Sequence, residues 1–312
     1  SVNSGELAPD VKLAEKLDLA TNNGLDLKSK KVKEDASGVA VNASSTEHVE
    51  NISANIAGGS GLALGLVEAI DVIGGSTQAY VNNARVNDQN AGAGAGQNVA
   101  IKASNIAYAN SFIGGVSASG GGAGGAGEDL HAISRTTRAY AAGGSIDAIG
   151  NVGVKALAKQ GVSSIAVGGA VGGLAGAGTL SMVLFNNLTD AYVDGTRVSA
   201  SSLAITADNS NNMYVLSGAV AIGGSAAGGA FAVATSDSTT TATLKNANGA
   251  NRVDVSGDLS VEAVNKTDIH HIVVSGAGGG GTGIAGMADV NLITDRTLAG
   301  IENSEVGAPN DN

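Results

Sequence analysis

A block that returns five times along the chain constrains the fold more than any other feature of this sequence. The block reads Val or Leu, a small residue, Val or Ile, a polar residue, then Ala. It appears at Val39–Ala43, Val99–Ala103, Val152–Ala156, Leu203–Ala207 and Leu259–Ala263. Its spacing of about fifty to sixty residues falls in the range of solenoids, propellers and arrays.

A second anchor keeps step with the first: Thr-x-Ala at Thr77–Ala79, Thr137–Ala139, Thr189–Ala191, Thr240–Ala242 and Thr297–Ala299, with Tyr80, Tyr140 and Tyr192 directly after the first three. A short echo follows at Val86, Ile146, Val198, Val253 and Val306. Three anchors in constant order are not a product of biased composition. Between them lies Gly-rich, Val/Ala-rich sequence.

The chain has 312 residues, no Cys, no Trp, 2 Pro, 48 Gly and 3% aromatic residues, so any core is built from Ala, Val, Ile and Leu and must be thin and layered. The hydrophobic share of 43% and the two-residue alternation in the anchors oppose disorder of the whole chain. The tract Gly120–Gly127 reads as a loop. A net charge of −11 opposes a nucleic-acid or anionic-membrane partner, which needs clustered Lys and Arg. The lysines Lys12, Lys16, Lys28, Lys30, Lys31 and Lys33 are interleaved with acids and form a solvated face. No stretch reads as a membrane helix, since Val162–Leu184 is broken by glycines. The first residues do not have the pattern of a signal peptide.

Short alternating strands at even spacing, punctuated by turns such as Asp194-Gly195 and Asn248-Gly249, predict an all-β fold. The expected form is a repetitive parallel β-helix, or β-solenoid, over residues 37–312, cut in mid-repeat at Gly307–Asn312. Residues 1–36 are expected to form an N-terminal cap or linker, with a short amphipathic helix over 6–20. Each repeat is expected to make two coils, because a solenoid coil commonly uses about twenty to thirty residues. A compact coil would hold the Thr-x-Ala strand, the echo and the Val-x-Val-x-Ala anchor. A wider one would hold the glycine-rich strands, whose small residues let two sheet faces approach. Ala204 and Ala232 are both expected to face this thin core.

Chemical motifs are weak by comparison. The GxGxxG match at Gly122–Gly127 is cheap in so glycine-rich a chain, and the strand, helix and acidic residue that dinucleotide binding needs are not arranged around it. Calcium nonapeptides need an Asp at a fixed step after paired glycines, and Gly124–Leu130 has its acids misplaced. His48, His131, His270 and His271 read as surface residues without metal-ligand spacing, and His270 and His271 should point to opposite strand faces. Thr239–Thr243 offers an ice-binding array only if it repeats on successive coils. A polysaccharide-degrading β-helix would want carboxylate pairs in a cleft and aromatic platforms for sugar rings. Tyr80, Tyr140 and Tyr192 share one repeat position and are expected to stack on each other. No catalytic, cofactor-binding or metal residues are assigned, and no cofactor is expected.

The text Gly218–Ala234, followed by a Thr-rich turn, Thr-x-Ala and the Val-x-Val-x-Ala anchor, resembles the repeat regions of large filamentous adhesins of Gram-negative bacteria. The leukotoxin-like and filamentous-haemagglutinin-like exoproteins, exported by type V secretion, are the family it resembles, over residues 38–306. The resemblance implies a secreted or surface-displayed stalk that serves adhesion, or fibre and matrix formation by end-to-end stacking, without catalysis. Its partners would be further copies or a continued chain, and a host or neighbouring-cell receptor or glycan. The alternative is a β-helical polysaccharide-binding or polysaccharide-degrading protein.

Overall fold

The computed structural model describes residues 38–88, 94 and 96–307. The expected cap at 1–36, its helix over 6–20 and the last five residues of the tail lie outside this range. Eleven strands run in chain order: β1 (Gly38–Gly59), β2 (Leu62–Val86), β3 (Asn98–Asp147), β4 (Asn151–Asp194), β5 (Arg197–Ala200), β6 (Ser202–Lys245), β7 (Val253–Val255), β8 (Leu259–Gly279), β9 (Gly283–Ile293), β10 (Arg296–Glu302) and β11 (Val306–Gly307). A single 3-10 turn at Gly249–Asn251 is the one helical element among the described residues. Every pairing is parallel, and the all-β solenoid expected from the repeats is what the chain forms.

The register fixes the coil. Val39 pairs with Val99, Val99 with Val152, Val152 with Leu203 and Leu203 with Leu259, so each repeat pairs with the next along its whole length. Each repeat therefore makes one coil, not the two expected. Coil 1 is β1–β2, coil 2 is β3, coil 3 is β4–β5, coil 4 is β6–β7 and coil 5 is β8–β11. The long coil is accommodated by flattening. An outbound run and a returning run lie face to face as a two-layer arm, and the arm closes at its base into a compact corner.

The corner holds the residues that the anchors single out. Val99, Ile101 and Ala103 of coil 2 pack with Ala139, Ala141 and Ile146, and the equivalent residues of the other coils continue the same core. Buried Val, Ile and Leu side chains in such columns each contribute about 1.5–3 kcal/mol. Within an anchor, residues one, three and five point inward. Leu203, Ile205 and Ala207 are buried, while Ala204 between them lies on the outer side, contrary to expectation. Ala232 is buried as expected. After each Thr-x-Ala strand the chain turns through the left-handed region at Asn83, Gly143-Gly144, Gly195, Asn246 and Asn303. Only Gly or Asn takes that conformation readily, which explains the Gly/Asn text at this corner.

The glycine tract 120–127 is no loop: it lies within β3 and forms the arm tip and the start of the returning run. Close approach demands it. A Cβ on Gly125 would overlap the carbonyl oxygen of Gly169 and come within 2.6 Å of that of Gly115 across the arm. Gly168 faces Gly178 in the same way one coil on. The two layers meet backbone to backbone.

Candidate functional site

The interior of the arm is not uniformly apolar. Between the corner core and a second apolar cluster around Val183, Phe185, Met213 and Val215 runs a polar seam. In coil 2 Arg135 is buried and reaches back to coil 1, donating to the Gly74 carbonyl at 2.8 Å and to Glu47 at 2.8 Å. Gly75 makes way for it, since a Cβ there would sit 2.5 Å from the guanidinium. In coil 3 Asn187 donates to Asn211 of coil 4 at 3.2 Å, and Asn211 donates to Ser238 at 2.8 Å. Asp295 of coil 5 accepts from Ser236 and Thr267. The Arg135, Asn187–Asn211 and Ser236–Asp295 bonds tie successive coils, while Asn211–Ser238 and Thr267–Asp295 bridge the two layers within one coil, and together they satisfy polar groups that burial would otherwise penalise.

A second polar cluster lies farther out in the arm. His131 is wholly buried, with Nδ1 3.1 Å from Asp71 of coil 1 and Nε2 3.1 Å from Asp129. The Ser111 hydroxyl lies 2.9 Å from His131 Nε2, and Ser111 and Ser164 both donate to Asp129. Asn51 donates to Asp71 at 2.6 Å. The order Ser111, His131, Asp71 is that of a nucleophile, a base and an orienting acid. Here, however, Ser111 is 5% exposed, its hydroxyl is turned to Asp129, and the group is enclosed between the two layers. What this arrangement does is link coils 1, 2 and 3. At the other end of the stack His271 Nδ1 lies 2.5 Å from Asp289 across the arm.

The reading of His131 and His271 as surface residues is thus overturned. Both occupy inward phases of their strands: His131 meets Asp71, its register partner on the neighbouring coil of the same layer, and Asp129 two residues before it, while His271 meets Asp289 on the opposite layer. His270 does face outward, as expected from alternation, and so does His48, which lies 3.1 Å from Asn110 on the next coil. The signal for the buried pair was available in phase: His131 is eight residues before Ala139, an inward anchor. Among the described residues no group of three or more His, Cys, Asp or Glu is arranged to hold a metal ion.

On the outside, Tyr80, Tyr140 and Tyr192 stack with ring centroids 5.1 and 4.8 Å apart, and Lys245 lies over the Tyr192 ring at 4.8 Å. Burial raises the Tyr192 phenol above its ordinary range. On another outer face the Tyr108 ring lies over Gly161 of the next coil, and burial pushes its phenol up to about 12.

Both outer faces of the arm are apolar near the tip. On the outbound side the register stacks Ile52, Phe112, Ile165, Leu216 and Ile272 in one row, and Ile56, Val116, Gly169, Val220 and Gly276 in another. On the returning side a shallow groove of about 420 Å³ is floored by Gly124, Gly176, Gly178, Ala227 and Gly229, with Leu66 and Ile284 at its ends. No helix among the described residues is long and apolar enough to cross a membrane. Comparison with family models, with curated proteins and with solved structures gives no match.

Proposed function

We propose that this chain is a rod-like structural segment of a secreted or cell-surface filament, lengthened by stacking coil on coil and serving adhesion or matrix formation. One observation carries the reading: the core columns run open to both end faces of the described solenoid. Val39, Val41 and Ala43 are only partly covered in coil 1, while Ile301 and Val306 are 51% and 44% exposed in coil 5. An end face of this kind presents unpaired main-chain groups beside apolar columns, and a further coil satisfies both. The adhesive and extracellular parts of the proposal rest on the resemblance of Gly218–Ala234 to filamentous adhesin repeats.

The tyrosines favour the stalk over a glycan-binding or glycan-degrading role. Sugar rings need free aromatic faces, and here every face of the ladder except the outer face of Tyr80 is spent on a neighbouring ring or on Lys245. The proposed segment needs no cofactor.

Electron microscopy and sedimentation of the purified chain test the proposal. Rods should lengthen in steps of about 24 Å, five coils at the inter-strand spacing of about 4.8 Å. Changing Ile301→Lys and Val306→Lys should stop the lengthening. Particles that keep a single length at every concentration would refute it.

A further inference from the structure

We infer that the flat arm is a lateral self-docking surface, in which the outbound face of one copy seats on the returning face of a second. The inference uses the sides of the solenoid and is independent of end-to-end growth.

The outbound outer face, four rows across five coils, contains Ile52, Ala54, Ile56 and Gly58 and their register partners through Ile272, Val274, Gly276 and Gly278. All twenty positions are apolar. At about 3.3 Å per residue and about 4.8 Å per coil this plane covers roughly 600 Å². Monomers rarely leave a contiguous apolar patch of that size uncovered. Two mated faces would bury about 1,200 Å², the lower edge of the range for specific association.

Shape selects the mate. The outbound face carries a ridge of Val116, Val171, Val220 and Ile222, each about half exposed, across coils 2 to 4. The groove on the opposite face spans the same three coils with a floor of Gly and Ala. The ridge and groove lie back to back, because Gly115 beside Val116 meets Ala126 across the arm, and Gly228 beside Ala227 meets Ala219. Two grooves face to face would enclose a void, and two ridges would hold the sheets apart. Ridge into groove fills the space, as close packing requires. The contact is therefore between unlike faces, and because ridge and groove lie on opposite sides of a flat arm it repeats as an open series instead of closing into a ring.

Lipid fits this surface less well. The tip is a stack of glycines, and coils 1 and 5 carry open strand edges, which the hydrocarbon region does not tolerate. A second copy needs neither feature covered.

The test is a mixing experiment, with Ile301→Lys and Val306→Lys present in every sample so that end-to-end growth is blocked. A ridge variant carries Val220→Lys and Ile222→Lys, both at exposed positions. A groove variant carries Gly176→Leu and Gly178→Leu, where a Cβ meets open space within 4 Å. Circular dichroism confirms that each keeps its strand content. By sedimentation the parent should form an open series of oligomers with rising concentration, and each variant alone should stay monomeric. An equimolar mixture of the two should form dimers, because one intact ridge and one intact groove remain. A parent that stays monomeric throughout would overturn the inference, as would a variant that self-associates like the parent. Flotation of the parent with phosphatidylcholine vesicles, lost in both variants and without self-association, would assign the faces to lipid instead.

Discussion

The glycines of the arm are not equivalent, and the structure assigns opposite signs to the same substitution at two of them. At Gly125 an added Cβ overlaps the Gly169 carbonyl oxygen and sits 2.6 Å from that of Gly115. Both obstacles are backbone atoms of paired strands, so relief requires the layers to part by the better part of an ångström. Overpacking of this kind costs about 1–3 kcal/mol. Loss of glycine's unfolded-state freedom returns about 0.4–1 kcal/mol. Gly125→Ala should thus destabilise by about 1–2 kcal/mol. At Gly176, outward on the next coil, a Cβ meets nothing within 4 Å and the backbone is not left-handed. Only the unfolded-state effect remains there, and Gly176→Ala should stabilise by about 0.4–1 kcal/mol. Urea unfolding of dilute protein measures both. With a denaturant slope of about 3 kcal/mol per molar, the two midpoints should lie roughly 0.5–1 M apart on either side of the parent. Midpoints that move together, or no change at Gly125, would refute the backbone-to-backbone account of the arm.

Three further outcomes are expected. His131→Ala leaves Asp71 and Asp129 buried without the imidazole between them and should cost about 3–5 kcal/mol; a loss under about 1 kcal/mol would show that the cluster does not tie coils 1 and 2. Tyr140→Ala removes two stacked pairs worth about 0.5–1.5 kcal/mol each, so it should cost about twice as much as Tyr80→Ala, which removes one; equal unfolding midpoints for the two variants would speak against the ladder. Asp208 has its carboxyl raised above the ordinary range by burial and then by the charge of Glu262 on the next coil. The folded state therefore holds a proton that the unfolded chain releases in that window, and stability falls as pH rises through it. Asp208→Asn should gain on the parent at neutral pH and match it in strong acid, as read from unfolding midpoints at the two pH values.

Much of the architecture is legible in the sequence where strand alternation is clean. In Leu203-Ala204-Ile205-Thr206-Ala207 the phase separates an inner from an outer side, and the inner residues are those of the corner core. The same phase places Ala204 outside, so the expectation that it packs inward neglected a signal already present. Tyr80, Tyr140 and Tyr192 share one repeat position, and equal positions on parallel coils must stack. Asn83, Gly143, Gly195 and Asn246 mark a corner because only such residues turn there cheaply.

The arm is different. In Val167-Gly168-Gly169-Ala170-Val171 both phases are apolar or small, and alternation no longer tells inside from outside. Whether the chain closes after half a repeat or after a whole one is then undecided locally, since outbound and returning runs read alike. Only the pairing of each coil with its neighbour, register by register, settles that a repeat is one flattened turn. The buried polar groups follow from that closure. Asp71, Ser111, Asp129 and His131 are up to 60 residues apart, and it takes both the fold-back of the arm and the stacking of coil on coil to bring them within hydrogen-bonding range. The sequence by itself determined the repeat, the strand class and the corner core, because those depend on local periodicity. The number of coils, the buried His–Asp cluster and the two apolar faces were decided by tertiary structure, because they depend on which distant strands lie across from one another.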